Sequence, residues 1–183
     1  VGLVYTSLLF MVVPLTSAGF AWPVAGIRVG ICQSVRLPVD TFSNLKTLNA
    51  PRYVAAAREA RRSGWDDALL LNHHDRVCEA TSSNVFWQTA DGTWHTPPLS
   101  EGCVAGTVRA RVIKKAHLAG ILVQERPISP DQLLDEAVAI FLTNAIRGVV
   151  PVRELNLPGL PDLEGLVRPI GLSDLEGLVR AIE

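Results

Sequence analysis

Metal-binding and disulfide patterns are absent from this sequence of 183 residues. Its three cysteines, Cys32, Cys78 and Cys103, lie far apart, and no two of them form a C-x-x-C pair. The four histidines also lack ligand spacing, since His73 and His74 are adjacent and the other two are isolated. An odd, scattered set of cysteines argues against a disulfide framework and is typical of a reducing cytoplasm. We therefore predict no metal site and a cytoplasmic location.

An excess of charge of either sign is lacking as well. The chain has 17 basic and 18 acidic residues, a formal net charge of −1, so it carries no electrostatic footprint for nucleic acid. The first 27 residues have no charged side chain, and a membrane span needs roughly 20 mostly apolar residues. Prolines and glycines interrupt this stretch, however, and no basic flank is present to orient an insertion. We predict neither nucleic acid nor membrane as a partner, a buried strand at Leu3–Val13, and a linker at Pro14–Gly26.

Strand and helix patterns alternate along the rest of the chain, which predicts an α+β or mixed α/β fold. Pro51 and the Ala-, Arg- and Glu-rich run after it predict a helix that ends at Arg62, before Gly64. Ser129 and Gln132 form a capping box that predicts a short helix. A third helix is predicted from Gly106 to Ala119, ended by Gly120. The predicted strands are Ile27–Ser34, Asp67–Leu71, Asn84–Thr89, Thr93–Thr96, Ile121–Arg126 (an edge strand) and Val138–Leu142, with turns at His73–Arg76 and Asp91-Gly92.

A few polar groups stand where chemistry is expected rather than packing. Lys46 lies between a predicted strand and a predicted helix, and a lysine in an apolar setting has a nucleophilic amine. Glu79 follows a predicted strand and precedes the small, polar run Ala80–Asn84. The helix start at 106–108 offers free backbone N–H groups, a natural seat for phosphate, and the segment 143–145 offers another. Taken singly, these features are more often a surface lysine, a solvated glutamate and a plain helix cap.

Together, the motifs resemble those of a known family. In chain order they read LKTLN, R-x-V-x-A-x-x-E-A, DDALLLN, V-x-E-A-T-S-S-N-V-F, TPPL, G-x-V-R and FLTN-A-x-R-G-V-x-P-V. This series resembles the class IV aminotransferases, the fold-type IV enzymes that use pyridoxal 5′-phosphate (PLP). The resemblance extends from about Arg36 to Val152 and implies a PLP cofactor and the fold of that family.

The resemblance also implies roles for individual residues. Lys46 matches the family's Schiff-base lysine, whose amine bonds to the cofactor aldehyde and later acts as a base. Glu79 matches the acidic partner that keeps the pyridine nitrogen protonated. The remaining positions are Val104 on the ring face, Thr107 and Val108 at the helix-start amides that hold the phosphate, and Asn144 and Ala145 in a second loop for phosphate and substrate.

Departures from the family pattern bear on the reaction. Val108 stands where the family often has threonine, so a hydroxyl is lost while the backbone N–H remains. Pro51 stands where branched-chain transaminases carry a tyrosine. The segments Asn84–Trp87 and Thr143–Val152 resemble those of aminodeoxychorismate lyases, which form 4-aminobenzoate, a folate precursor, and pyruvate. We therefore expect lyase activity on a small-molecule substrate. The alternatives are a class IV aminotransferase acting on D-amino or branched-chain amino acids, and an inactive pseudoenzyme scaffold.

The resemblance further implies a homodimer and an additional N-terminal domain. In the family that domain supplies a phosphate-binding arginine and the catalytic threonine of the lyases, and we find no counterpart of either in this sequence. We expect residues 1–35 to be a remnant of that domain with its linker, and 36–155 to be the PLP-binding domain. Residues 156–183 form a tail with a 12-residue tandem repeat, LPDLEGLVRPIG and LSDLEGLVRAIE. Two copies are too few for a solenoid, so we assign the repeat no chemistry.

Overall fold

The computed structural model describes residues 26–156. The predicted strand Leu3–Val13, nearly all of the predicted linker and the tandem repeat lie outside the described residues. Within the described range the chain forms one eight-stranded sheet and three α-helices. The strands are β1 (Ile27–Leu37), β2 (Asp67–Asn72), β3 (Val77–Ala80), β4 (Asn84–Thr89), β5 (Trp94–Thr96), β6 (Val123–Glu125), β7 (Ala137–Asn144) and β8 (Gly148–Asn156), and the helices are α1 (Pro51–Arg62), α2 (Thr107–Leu118) and α3 (Pro130–Glu136).

The long strand β1 lies inside the sheet, whose order is β3-β2-β1-β8-β7-β4-β5-β6. It pairs in parallel with both β2 and β8. Its register with β2 shifts between Ile31 and Arg36, and Glu59 of α1 accepts hydrogen bonds there from the amides of Gln33 (2.9 Å) and Ser34 (3.0 Å). Unpaired main-chain donors are costly, so this carboxylate stabilises the irregular strand and ties α1 to β1.

The other half of the sheet is mostly antiparallel. β7 pairs with β4 on one side and with β8 on the other, while β4 and β5 form the hairpin predicted from Asp91-Gly92. Gly92 has φ +86°, a backbone conformation that glycine adopts without steric cost. Among the described strands, β6 pairs only with β5, in parallel, and lies at the end of the strand order. The predicted edge position of this strand is therefore confirmed within residues 26–156.

Apolar side chains cover both faces of the sheet. Because successive side chains of a strand point to opposite faces, Ile140 and Phe141 of β7 belong to two different clusters. The cluster with Ile140 includes Leu133 of α3. On the other face, Val112 of α2 packs with Phe141, and α1 packs through Ala56 and Ala60 against β1 and β2. α1 and α2 therefore cover one face and α3 covers the opposite one.

The predicted mixed α/β class and all three predicted helices of the described range are confirmed. The capping box of α3 is present, with both of its hydrogen bonds. Two strands were missed. β3 has only four residues and contains a glutamate, and β8 contains Pro151, which lowers the strand signal. Asn144 and Ala145 were expected to lie in a loop, but Asn144 is the last residue of β7 and Ala145 opens the three-residue turn before β8.

The structure also bears on the predicted segment boundaries and on the membrane. β1 crosses the boundary placed between residues 35 and 36, and the division of the chain into three segments stays a prediction. In the part of the chain that the structure describes, no helix has the length and apolar character to cross a bilayer.

Candidate functional site

A cleft of about 290 Å³ opens where the ends of several elements meet. Its walls come from the segment between β1 and α1, the connection from β3 to β4, the start of α2 and the turn after β7. These elements are far apart in sequence, and the sheet brings their ends together. All seven predicted site residues line this cleft: Lys46, Glu79, Val104, Thr107, Val108, Asn144 and Ala145.

Glu79 is the buried charged group of the cleft. It was expected to follow a strand, but it lies inside β3, opposite Leu70 of β2, and is 3% exposed. Three groups donate hydrogen bonds to its carboxylate: the hydroxyl of Tyr53 (2.6 Å) and the amide of Val104 (3.1 Å) to Oε1, and the side-chain amide of Asn84 (3.1 Å) to Oε2. Burial nevertheless raises the pKa of Glu79 to about 7. The site therefore holds a carboxylate that lacks a full counter-charge.

The three donors leave one acceptor position on this carboxylate. Each carboxylate oxygen accepts about two hydrogen bonds. Oε1 receives two donors from the described residues, and Oε2 receives only that of Asn84. A cationic N–H donor placed in the cleft at Oε2 would satisfy the remaining position and offset the cost of burying the charge.

Two of these donors, Tyr53 and Asn84, were not predicted as site residues. Tyr53 lies in the first turn of α1, and its side chain borders the cleft. Asn84 opens β4, and its amide also donates to the carbonyl of Val104 (2.9 Å). Asn84 belongs to the motif S-S-N-V-F, but the sequence gives neither residue a signal for contact with Glu79. That contact depends on the packing of α1 and β4 beside β3.

Lys46 differs from its expected setting. It lines the cleft as predicted, but its side chain is exposed rather than enclosed by apolar groups. Asn44, two residues earlier, anchors the segment: its side-chain amide donates to the carbonyls of Leu99 (2.8 Å) and Cys103 (2.7 Å). The carbonyl of Asn44 accepts from the amide of Ala105 (3.0 Å). These three bonds fix the lysine-bearing segment to the residues that lead into α2.

The start of α2 presents backbone N–H groups to the cleft. Gly106 is the N-cap residue, and no side chain caps this end of the helix. The first N–H groups of a helix have no partner within it, and the helix dipole favours an anion at this end. Thr107 is exposed and Val108 is half-buried, and both line the cleft. The predicted phosphate-binding residues therefore lie at a helix start that borders the cleft, and their role as a phosphate site stays a prediction.

Hydrogen bonds join the two loops on the opposite wall. The side-chain amide of Asn144 donates to the hydroxyl of Ser83 (2.9 Å), and its oxygen accepts from the amides of Ile146 (3.0 Å) and Arg147 (2.7 Å). Among the described residues, Ser83 is the acceptor for one of the two amide hydrogens of Asn144, and no acceptor is found for the other. Ala145, in the turn that follows, is exposed at the cleft.

Asp67 fixes the loop that carries Ser83. This aspartate is 4% exposed, and its Oδ1 accepts hydrogen bonds from the hydroxyl (2.6 Å) and amide (3.1 Å) of Thr81 and from the amide of Ala68 (2.8 Å). Burial raises the pKa of Asp67, and these donors oppose that effect. Asp67 thus fixes the 81–83 loop through Thr81. The loop in turn contacts the turn after β7 through the hydrogen bond between Ser83 and Asn144.

The cysteines take no part in this geometry. All three are buried and free, and burial raises the pKa of each thiol, which makes it a poor nucleophile. Among residues 26–156, no group of three or more His, Cys, Asp or Glu side chains is arranged to hold a metal ion.

Comparisons with known proteins identify the family of the chain. The family model described as amino-transferase class IV matches residues 5–155. The chain belongs to the class IV aminotransferase family. The family assignment drawn from the motifs is thereby confirmed.

Relatives within the class IV family carry two kinds of name. The chain is 32% identical over 139 residues to the aminodeoxychorismate lyase of Vibrio harveyi, which covers 75% of this chain and 50% of the relative. It is 39% identical over 132 residues to a protein of Thermotoga maritima named as a probable branched-chain-amino-acid aminotransferase, covering 72% of this chain and 47% of that one. The chain spans about half the length of these curated relatives.

Solved structures of the class IV family share the fold. The crystal structure of 4-amino-4-deoxychorismate lyase from Pseudomonas aeruginosa superposes with a TM-score of 0.72 at 31% identity, covering 85% of this chain and 54% of the lyase chain. This likeness confirms the predicted fold type.

Proposed function

We propose that the cleft binds PLP and that this chain is the cofactor-binding half of an aminodeoxychorismate lyase, which splits 4-amino-4-deoxychorismate into 4-aminobenzoate and pyruvate. When bound, PLP supplies an electron sink for the carbanion character that develops on the substrate. The observation that carries the proposal is the buried carboxylate of Glu79, with one acceptor position left for a cationic ring N–H.

The residues of the cleft fit the other parts of the cofactor. The N–H groups of Thr107 and Val108, at the uncapped start of a 12-residue helix, suit a phosphate. Val104 is half-buried between Glu79 and that helix, where an apolar side chain can pack on the ring. Asn144 keeps one amide hydrogen for the phosphate or the substrate.

Lys46 is the proposed nucleophile and base. Lys46 is exposed and lines the cleft, on a segment anchored by Asn44. We propose that Nζ holds the cofactor through its aldehyde carbon and, once free, takes a proton from the substrate. An anchored segment limits the positions that Nζ can reach, which favours a defined proton transfer.

Two sequence features support the lyase over the transaminase. The sequence of the hairpin Thr143–Val152 resembles that of the lyases, and α1 begins at Pro51 rather than at the tyrosine of branched-chain transaminases. Transamination of D-amino or branched-chain amino acids is the alternative, because a relative with such a name is 39% identical. Both reactions need the same cofactor residues, so the substrate pocket decides between them. An inactive scaffold is the third candidate.

Trapping with borohydride tests the nucleophile. The chain has three lysines, Lys46 and the pair Lys114 and Lys115 on α2. After incubation with PLP and reduction, peptide mass mapping is expected to find the cofactor on Lys46, and Lys46→Arg is expected to lose that label. A label on Lys114 or Lys115 alone would contradict the proposed site.

Product analysis tests the reaction. Formation of 4-aminobenzoate together with pyruvate from 4-amino-4-deoxychorismate supports the lyase. Amino-group exchange with 2-oxoglutarate and no pyruvate would favour the transaminase. Trapped PLP on Lys46 with neither product would favour the scaffold.

A further inference from the structure

Tyr53 makes the shortest hydrogen bond to Glu79. Its hydroxyl lies 2.6 Å from Oε1, whereas the other two donors lie at 3.1 Å. The half-buried ring borders both the cleft and a second cavity of about 420 Å³ beside it. Tyr53 therefore stands in the wall between the two cavities, with its polar end on the carboxylate.

This phenol acts only as a donor to the carboxylate. Burial and the negative charge of Glu79 raise the pKa of Tyr53, so the hydroxyl stays protonated at neutral pH. A hydrogen bond from a neutral donor to an ionised carboxylate favours the ionised form. The same bond, with that of the Val104 amide, fills both acceptor positions of Oε1 and leaves the free position on Oε2.

We propose that Tyr53 is a positioning residue that favours the ionised form of Glu79 and presents its Oε2 to the ring nitrogen of the cofactor. This inference rests on the proposed binding of PLP. Without the hydroxyl, Oε1 has a vacant acceptor position, so the carboxyl group can take up a proton or turn. Either change weakens the contact with a cationic ring nitrogen.

The first experiment uses the apo protein, so it does not depend on PLP. Infrared difference spectra over a pH titration report protonation of the Glu79 carboxyl, and the band is assigned by its loss in Glu79→Gln. Tyr53→Phe keeps the ring and removes only the hydroxyl. Because a hydrogen bond to a charged group stabilises it by about one unit of pKa or more, the protonation midpoint should move upward by about one pH unit.

The other groups that act on this carboxyl are Lys46 from the segment before α1, Arg109 from α2, and the thiols of Cys78 and Cys103. All of them are unchanged in Tyr53→Phe. The control is Thr96→Val, which removes a buried hydroxyl that donates to the Val85 carbonyl (2.8 Å) away from the cleft. It should leave the midpoint in place. An unchanged midpoint in Tyr53→Phe would overturn the proposal.

The second experiment asks whether the effect passes through the ring nitrogen. PLP and its 1-deaza analogue, which lacks that nitrogen, are each titrated into wild type and Tyr53→Phe. We expect about tenfold weaker PLP binding in the variant, equivalent to about 1.4 kcal/mol, and less than a twofold change for the analogue. Equal losses for both ligands would mean that Tyr53 only packs, which overturns the proposal. If wild type binds neither ligand, the proposed function fails, while the infrared result still decides the link between Tyr53 and Glu79.

Discussion

The most unusual side chain of this site is the buried carboxylate of Glu79. Glu79 is almost fully buried and raised in pKa to about 7, although three donors contact it. Burial disfavours the charged form, and in the apo protein no cation directly contacts Glu79 among the described residues to compensate fully. At high pH such a buried charge lowers the free energy of unfolding, but it can also bind a cation. This combination is typical of functional sites.

The pKa of Glu79 predicts how the stability of the apo protein depends on pH. Its folded value of about 7 exceeds the ordinary value of 4.5, so the folded state binds the proton more tightly. The stabilisation is fully present below pH 4.5 and is lost as the pH rises to about 7, a change on the order of 3 kcal/mol. The free energy of unfolding is measured in urea at pH 5 and at pH 8. Between these two pH values, Glu79→Gln should lose much less of it than wild type does.

The control for this measurement is Glu154→Gln. This residue lies half-exposed on β8, away from the cleft, and its variant should keep the pH dependence of wild type. A wild-type profile that Glu79→Gln reproduces without change would show that Glu79 does not titrate in this range.

At the scale of elements, the start of α2 is coupled to Glu79 by a close approach. A Cβ at Gly106 would lie 2.1 Å from Oδ1 of Asn84, too close for any real contact. The amide of Asn84 holds both Glu79 and the Val104 carbonyl, so it cannot move without loss of those bonds. Glycine at 106 thus lets the start of α2 and the carboxylate of Glu79 lie side by side.

Gly106→Ala should therefore lower the free energy of unfolding of the apo protein by about 1–3 kcal/mol. It should also weaken PLP binding by about tenfold or more. The test is a double-mutant cycle with Asn84→Ala, which removes the clashing atom. If the account is right, Gly106→Ala costs little stability in the Asn84→Ala background. An equal cost in both backgrounds would point to strain in the helix start itself.

Local signals explain which elements the sequence predicts. α1 and α3 carry proline and, for α3, a capping box at their starts, and such features act through the nearest few residues. β3 and β8 depend on partners: β3 pairs with β2, and β8 pairs with β1 and β7. Their own residues give weak strand patterns, so only the assembled sheet defines them.

The same distinction applies to the site. Lys46, Glu79 and the helix start were predicted as site residues because their motifs resemble those of a family. Tyr53, Asn44 and Asp67 make hydrogen bonds at the cleft or next to it, and these bonds link residues 14 to 59 positions apart. No sequence motif predicts such contacts. The exposed state of Lys46 was also beyond reach, because burial is set by the surrounding fold rather than by neighbours in sequence.

At the scale of the whole molecule, the lysine-bearing segment is the most exposed apolar part of the described chain. Phe42, Leu45 and Leu48 are 70%, 57% and 106% exposed. The three side chains lie within one short segment of the sequence. Exposed apolar side chains that group together mark interaction surfaces, and the family resemblance implies a homodimer. We therefore predict that this segment is covered by a second copy of the chain.

Leu48→Asp tests that prediction. A charge on a buried apolar interface is unfavourable, so light scattering after size exclusion should find a dimer for wild type and a monomer for this variant. Leu48 is fully exposed within the single chain, so the circular dichroism spectrum of the Leu48→Asp variant should match that of wild type. Leu118→Asp, at the 72% exposed end of α2, is the matched control and should remain dimeric. A monomeric wild type would contradict this prediction. Dissociation of both variants would contradict it as well, because an interface formed by the lysine-bearing segment includes position 48 and leaves position 118 outside.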